Sequence, residues 1–280
     1  MLLNDLMNPE TMQSYIDSLF VDGDERLEDG NIRCGKCGDM KTCFGEGVLE
    51  GVLLPIRCKC GEKADKEIKR RSREHELKRR REELRRIGLT SKAYADKTFA
   101  NDLAPESSMS RTCRRYCDQW QDMKGLNVGL LLYGDVGTGK SFYACCIANE
   151  IIDRYIEQVY VTTIPMLITQ LQSFDKRDKT MATLEVVPLL VLDDFGAERD
   201  TSFAEEQLFS IIDHRLLTGK PTIVTTNLTL QQMRNPQTMA QRRVYDRILE
   251  MCPVQIRFDG RNRRKDAMSA RREQAIEALR

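Results

Sequence analysis

The chain has 280 residues, of which 41% are hydrophobic and 31% charged, and its formal net charge is +1. This length and apolar fraction favour one α/β domain with a smaller appendage. The chain contains no run of about 18 apolar residues that would span a membrane, and its N-terminus lacks the basic start and apolar core of a signal peptide. We therefore expect a cytoplasmic protein with no membrane association, whose ten cysteines do not form disulfides.

The charges are unevenly distributed along the chain. Residues 1–30 contain eight acidic residues and one basic residue. Residues 61–86 contain twelve basic and seven acidic residues, and residues 261–280 contain seven basic and three acidic residues. This segregation predicts different partners for different segments.

An amphipathic helix is predicted over residues 8–20. Asn8 is a candidate N-cap, and Pro9 suits the first helical position. Apolar residues then follow at helical spacing, and the outer face is acidic; they are Met12, Tyr15, Ile16, Leu19 and Phe20. Two interpretations of this apolar stripe stay open: it packs on its own domain, or it binds a partner.

Two close pairs of cysteines follow the helix. Cys34 and Cys37 are separated from Cys58 and Cys60 by 20 residues, a spacing that predicts a tetrahedral Cys₄ site for Zn²⁺. Cys43 is an alternative ligand, and free thiols or another metal are the competing interpretation. The remaining cysteines are scattered and are interpreted as small hydrophobic residues.

Residues 61–86 form a strongly charged helix with little apolar surface, which predicts a solvated connector. From residue 92 the composition becomes globular. Apolar strands alternate with helices, which predicts an α/β fold with a parallel sheet covered by helices on both faces. The predicted strands are 128–133, 158–162, 187–192, 221–225 and 253–258, and the predicted helices are 141–157, 164–173, 203–217 and 238–250.

An eight-residue run after the first of these strands fits the phosphate-binding loop pattern G-x-x-x-x-G-K-[ST] at every fixed position. Glycines let the backbone N–H groups point at phosphate oxygens, and the following helix adds its positive N-terminal end. We expect Lys140 to reach the β- and γ-phosphates of ATP and the Ser141 hydroxyl to hold Mg²⁺. The run is Gly134, Asp135, Val136, Gly137, Thr138, Gly139, Lys140 and Ser141.

A second nucleotide motif follows about fifty residues downstream. The apolar run from Leu189 closes with two carboxylates, which predicts a buried parallel strand whose end lies beside the phosphate loop. Asp193 is expected to hold Mg²⁺ and Asp194 to orient the attacking water. The strand that closes with Asn227 ends in polar side chains that suit contact with the γ-phosphate.

Two arginines, Arg243 and Arg247, lie one helical turn apart on a predicted helix. They form either a solvated face or a group that enters the nucleotide site of a neighbouring subunit.

Together and in this order, these motifs resemble those of the AAA+ ATPases. Their detailed sequences resemble the bacterial and phage replicative-helicase loaders of the DnaC/DnaI type. The resemblance covers roughly residues 85–264. It rests on six runs outside the phosphate loop: Ile87–Leu89, Lys97–Asn101, Leu192–Glu198, Thr225–Leu228, Arg243–Arg247 and Phe258–Arg264.

The resemblance implies ATP-dependent delivery of a hexameric DnaB-type helicase onto single-stranded DNA during DNA replication. It also implies self-association of the ATPase domain, with Asn227 as the sensor residue and Arg243 or Arg247 as the trans-acting finger. AAA+ ATPases usually have Glu where Asp194 stands, which leaves the hydrolysis rate open. The implied DNA-contact segment comprises residues 162–177 and Lys179, and a surface helix with a charged loop is its alternative.

The domains expected from these features are a zinc-binding, helicase-interacting, α-rich module over residues 1–60 and a charged helical connector over 61–86. An AAA+ ATPase domain over 87–264 and a basic tail over 265–280 complete the chain. Two other functions compete: a transposition helper ATPase of the IstB type, which acts on duplex DNA with a transposase, and a nucleotide kinase. The kinase requires an arginine-rich lid, and residues 151–175 supply almost no arginine.

Overall fold

The computed structural model describes residues 9–196, 202–260, 262, 272–273 and 275–279, and the side chains of 9–13, 48, 174 and 202–205 lie outside this description. The chain divides into two compact units, Met1–Leu77 and Lys78–Arg280. This boundary falls inside a 30-residue helix, Lys59–Gly88. The predicted basic tail over 265–280 lies mostly outside the described residues.

The first unit combines helices with two small antiparallel hairpins. The predicted helix over 8–20 is confirmed as α1 (Pro9–Leu19). Strand β1 (Glu25–Arg26) pairs with β2 (Ile32–Arg33), and β3 (Thr42–Phe44) pairs with β4 (Leu53–Pro55). A 3₁₀ turn, Gly47–Leu49, lies within the second hairpin, and α2 (Lys59–Gly88) begins at the second pair of cysteines.

The interior of this unit is small. Among its described side chains, the buried aliphatic ones are Ile16 and Ile32. The buried Thr42 hydroxyl accepts a hydrogen bond from Ile32 N–H at 2.8 Å and donates to Asn31 Oδ1 at 3.0 Å. Ile16 therefore packs inside its own unit, which is the first of the two interpretations of the α1 stripe. The side chain of Met12 lies outside the described part.

The second unit is built on a five-stranded parallel sheet, and its strands confirm all five predicted segments. In chain order they are β5 (Leu130–Gly134), β6 (Val159–Thr163), β7 (Leu189–Phe195), β8 (Thr222–Thr226) and β9 (Val254–Phe258). The spatial order is β6-β7-β8-β5-β9. The phosphate-loop strand β5 therefore lies one strand away from the carboxylate-bearing β7, with β8 between them.

Helices cover both faces of this sheet, as predicted. Alternate residues of each strand face opposite cores: Leu130, Leu132 and Val191 pack in one apolar cluster, whereas Leu131 and Leu192 pack in the other. The helices are α3 (Lys92–Ala95), α4 (Ser108–Asp118), α5 (Trp120–Gly125), α6 (Lys140–Tyr155), α7 (Ile164–Gln172), α8 (Phe174–Val186), α9 (Ser202–Leu217), α10 (Leu230–Arg234) and α11 (Met239–Met251).

The four predicted helices of this domain correspond to α6, α7, α9 and α11, with ends that differ by at most two residues. Helix α8 was not predicted. It carries the charged run Asp175–Lys179, which has no apolar periodicity, so its helical state depends on packing against α7 and α9.

Helix α2 ends at Gly88, two residues beyond the predicted charged helix over 61–86. A Cβ at Gly88 would lie 2.0 Å from the Val159 carbonyl oxygen, so only glycine permits this approach to β6. Leu84 is buried in the same apolar cluster as α6. Arg85 Nη2 contacts both carboxylate oxygens of Asp153 at 2.6 Å, which fixes the last turns of α2 to α6. In the described residues no helix combines the length and apolar character needed to cross a membrane.

Candidate nucleotide site and cysteine cluster

The phosphate loop lies between β5 and α6, as the motif requires. Gly134, Gly137 and Gly139 have φ angles of 132°, 82° and 110°, a region that residues with a Cβ rarely adopt. Lys140 Nζ donates hydrogen bonds to the carbonyl oxygens of Gly134 at 2.8 Å and Asp135 at 2.7 Å. The Lys140 side chain is therefore hydrogen-bonded to the backbone of the phosphate loop.

The two carboxylates at the end of β7 have different surroundings. Asp193 is 6% exposed, and its Oδ1 accepts a hydrogen bond from Thr225 Oγ1 at 2.6 Å. Asp194 is exposed and has a left-handed φ of 61°. Asn227 Nδ2 donates to Asp194 Oδ1 at 3.4 Å. The predicted sensor side chain and the second carboxylate therefore lie together.

A cavity of about 400 Å³ is lined by residues of the phosphate loop together with Asp194 and Asn227, whereas Asp193 is not among its lining residues. This volume is within the range of small-molecule sites, about 300–1,000 Å³. The structure brings together residues of the loop, the first turns of α6, β7 and β8, as the motifs predicted. The lining residues are Lys97, Asn101, Leu103, Val136, Gly137, Gly139, Lys140, Ser141, Phe142, Asp194, Thr225 and Asn227.

Sequence reasoning assigned no role to one wall of this cavity, which Lys97, Asn101 and Leu103 form. Asn149 of α6 fixes this wall, since its Nδ2 donates to the carbonyl oxygens of Tyr94 at 2.8 Å and Lys97 at 3.0 Å. Lys97 Nζ lies 4.9 Å from the centre of the Tyr94 ring. The only sequence signal for this wall was the run Lys97–Asn101. That run contributed to the family resemblance but indicated no chemical role for its residues.

The two arginines of α11 do not line the cavity and differ from each other. Arg247 Nε donates to Asp213 Oδ1 at 2.5 Å, and its guanidinium lies 4.5 Å from the centre of the Phe209 ring. Arg243 is exposed. Arg247 is therefore engaged within its own chain, whereas Arg243 faces outward.

The four paired cysteines meet in the first unit. The Sγ atoms of Cys34, Cys37, Cys58 and Cys60 all lie within 4.8 Å of one another, and Cys60 Sγ is 3.4 Å from both Cys34 Sγ and Cys58 Sγ. With Zn–S bonds of about 2.3 Å, a tetrahedral site has S–S edges of about 3.8 Å, so the cluster is compatible with zinc. Cys43 is not part of this group and pairs with Leu54 between β3 and β4.

Hydrogen bonds shift the pKa values of two of these cysteines in opposite directions. Backbone N–H groups of Cys37 and Lys36 lower the pKa of Cys34 to about 6. Hydrogen bonds between the sulfur of Cys60 and those of Cys58 and Cys34 raise the pKa of Cys60 to about 12. The lowered pKa of Cys34 favours its thiolate, which is the form of cysteine that binds a metal ion.

A buried ion pair supports the loop that carries Cys34. The carboxylate of Asp24 lies 2.5 Å from Lys41 Nζ and also accepts from the N–H groups of Val21 and Gly35. Burial raises the pKa of Asp24, but these hydrogen bonds more than offset it, so the pKa lies below its usual value. Lys41 also donates to the carbonyl oxygen of Leu19 at 3.0 Å, which ties the end of α1 to this loop.

The DNA-contact segment predicted from the resemblance comprises β6's last residues, α7 and the start of α8. Lys176, Arg177 and Lys179 are exposed on α8, whereas Thr162 is fully buried. Phe174 is an aromatic residue of this segment that would suit stacking on a base, and its side chain lies outside the described part. The exposed cations of this segment are thus in reach of a ligand, and Thr162 is not.

The sheet order, the phosphate loop and the carboxylates at the end of β7 define a P-loop nucleotide-binding protein of the AAA+ type. The model of the IstB-like ATP binding protein family matches residues 69–270, and the chain belongs to this family.

Curated relatives match parts of the chain. It is 31% identical over 154 residues to the replicative helicase loader DnaI of Bacillus subtilis, covering 50% of this chain and 49% of that protein. It is 24% identical over 139 residues to the replicative helicase loader DnaC of Escherichia coli, covering 48% and 54%. The chain thus spans about half the length of the curated relatives it matches.

The fold is also that of a crystal structure of DnaI. That structure superposes with a TM-score of 0.52 at 23% identity, covering 62% of this chain and 94% of that one. The prediction of an AAA+ fold related to the helicase loaders is therefore confirmed.

Proposed function

We propose that this protein is an ATP-driven loader that delivers a hexameric DnaB-type helicase onto single-stranded DNA during DNA replication. The observation that carries the proposal is the cavity that joins the phosphate loop to Asp194 and Asn227, in a chain similar to two replicative helicase loaders. The pocket supports the binding and hydrolysis of ATP, and the similarity to the two loaders supports helicase loading as the process that ATP drives.

The residues of the cavity fit ATP with Mg²⁺. The Ser141 hydroxyl and the carboxylates at the end of β7 are the hard oxygen ligands that Mg²⁺ prefers. Lys140 and the first N–H groups of α6 would donate hydrogen bonds to the phosphate oxygens of ATP. When bound, the metal neutralises charge on the β- and γ-phosphates. Lys97, Asn101 and Leu103 complete the opposite wall, where we place the nucleoside.

The two carboxylates are assigned different tasks. Asp193, buried and fixed by Thr225, orients toward the metal. Asp194, exposed at the cavity and contacted by Asn227, positions the attacking water and accepts its proton. Its side chain is one methylene shorter than the glutamate usual in AAA+ ATPases, which predicts slow hydrolysis with normal ATP binding.

Self-association of the ATPase domain brings an arginine to a neighbour's nucleotide. Arg243 is the better candidate, because Arg247 is paired with Asp213 and stacked on Phe209 in its own chain. A guanidinium that arrives from a second copy stabilises charge on the transferred phosphoryl group.

The first unit is proposed to bind the helicase and to hold one structural Zn²⁺ through its four clustered cysteines. Ile16 is buried, so we assign helicase docking to the exposed apolar side chains of this unit, which include the exposed members of the α1 stripe. They include Tyr15 (45% exposed), Phe20, Phe44 (44%), Val52 and Ile56. An apolar surface of this kind on a small module is typical of a protein-binding site.

Single-stranded DNA is proposed to contact the exposed cations at the start of α8. Lys176, Arg177 and Lys179 would pair with phosphates, so affinity falls as salt rises.

The test is a loading assay with purified hexameric helicase, single-stranded DNA and the full chain. Lys140→Ala removes the cation that faces the phosphates, so ATP affinity and loading both fall. Asp194→Asn keeps ATP bound and abolishes turnover. Wild-type protein that binds ATP but leaves helicase loading unchanged would refute the loader function, and stimulation of a transposase on duplex DNA would then favour the IstB-type alternative.

The docking surface is tested separately by co-sedimentation of helicase with Phe44→Ser/Val52→Ser protein. We expect loss of helicase binding with unchanged ATP affinity, because both side chains lie in the first unit. Leu126→Ser is the matched control, since Leu126 is 69% exposed but belongs to the second unit. Equal helicase binding by all three proteins contradicts this assignment.

A further inference from the structure

Two adjacent carboxylates on one strand cannot both serve one site if the strand is regular. Successive side chains of a β-strand point to opposite faces of the sheet. Yet Asp193 is buried against β8 and Asp194 lines the nucleotide cavity. The structure resolves this conflict through an irregularity in the pairing of β7 with β8.

The register shifts between Leu192 and Phe195. Leu192 pairs with Val224, and Phe195 pairs with Thr226. Two residues of β7, Asp193 and Asp194, therefore oppose the single residue Thr225 of β8, which is a β-bulge. A bulge leaves one backbone group outside the ladder and re-aims a side chain.

The Thr225 hydroxyl satisfies both residues of the bulge. Its Oγ1–H donates to Asp193 Oδ1 at 2.6 Å, and the same oxygen accepts the backbone N–H of Asp194 at 2.9 Å. One hydroxyl has one proton to donate and lone pairs to accept, so both bonds form at once. The second bond stabilises Asp194 in its left-handed conformation, at a φ of 61°.

We propose that Thr225 is a positioning residue of the nucleotide site: it orients the Asp193 carboxylate toward Mg²⁺ and holds the Asp194 backbone so that its side chain faces the cavity. The inference rests on the proposed ATPase function and assigns to β8 a second task beside that of Asn227. Thr225 is 1% exposed and lines the cavity, so its hydroxyl is shielded from competing solvent.

The experiment compares Thr225→Val with Thr225→Ser in the full chain. Valine keeps the volume but loses both hydrogen bonds, whereas serine keeps the hydroxyl. Loss of a hydrogen bond to a charged group changes an equilibrium or rate constant by roughly 10- to 100-fold. Thr225→Val should therefore lower kcat, and the gain in affinity for a fluorescent ATP analogue that Mg²⁺ produces, by about that factor. The affinity measured without Mg²⁺ should change by less than about twofold. Thr225→Ser should restore most of both.

Thr180→Val is the matched control for the same substitution. Thr180 is 8% exposed and lies on α8, and none of the described side chains of α8 lines the cavity. A general loss of stability lowers the melting temperature of the control and of Thr225→Val alike but leaves the Mg²⁺ gain intact. Equal Mg²⁺ gain and equal kcat in the valine and serine variants would overturn the positioning role while ATP binding stands. Failure of the wild-type chain to bind the analogue would overturn the proposed function and the positioning role together.

Discussion

The four-cysteine cluster predicts that the first unit folds only with its metal. Among the described residues of this unit, the buried aliphatic side chains are Ile16 and Ile32, and each contributes about 1.5–3 kcal/mol. A structural Zn²⁺ contributes about 10–16 kcal/mol of apparent free energy at neutral pH. The metal term is therefore the larger by several kcal/mol, and Cys34→Ser should unfold the module rather than loosen it.

The measurement is hydrogen exchange of residues 14–60 together with elemental analysis of protein purified without chelator. We expect about one zinc per chain in the wild type, its loss in Cys34→Ser, and fast exchange of the module with unchanged ATP affinity. Cys43→Ser is the matched control, because this half-buried thiol belongs to the same unit but not to the cluster. Metal-free wild-type protein with a protected module, or equal damage from both substitutions, would refute the reasoning.

Three further outcomes follow from contacts in both units. Arg215 is fully buried and donates to four backbone carbonyl oxygens, so Arg215→Met leaves these acceptors unpaired and should lower the free energy of unfolding by about 3–5 kcal/mol in chemical denaturation. Because the pKa of Asp24 is lowered in the fold, its stabilising pairing with Lys41 is present above the ordinary carboxylate pKa and is lost as the pH falls through the lowered pKa. Zinc release in acid should therefore begin at a higher pH in Asp24→Asn than in the wild type. Identical release curves for the two proteins would contradict this. Arg243→Ala should lower ATPase activity without changing thermal stability, whereas Arg247→Ala should lower thermal stability, and the reverse pattern would exchange their assignments.

The phosphate loop and the five strands were predictable because their signals are local. A buried parallel strand is a continuous apolar run, and the loop's residue types stand next to one another in sequence. The cysteine pairs were predictable for the same reason, since ligand spacing within each pair is local. In each case a few neighbouring residues carry the whole chemical requirement.

The parts that the sequence did not reveal depend on contacts between distant segments. Lys97 and Leu103 form a wall of the cavity only because Asn149 holds the preceding turn on α6. The bulge at Asp193 arises from register against β8, which no single strand encodes. Ile16 looked like part of a docking stripe, because burial against a hairpin tens of residues downstream is invisible in a helical pattern.

The attachment of the last turns of α2 to α6 has a practical consequence for dividing the chain. Besides the bidentate contact to Asp153, Arg85 Nε donates to Asn149 Oδ1 at 3.1 Å, and Asn149 fixes the cavity wall through Tyr94 and Lys97. A recombinant ATPase fragment that begins at residue 87 would thus remove a support of its own nucleotide pocket. A fragment that begins at residue 78 retains that support. Weak ATP binding by the shorter fragment would therefore result from the loss of Arg85 and not from a property of the full-length protein.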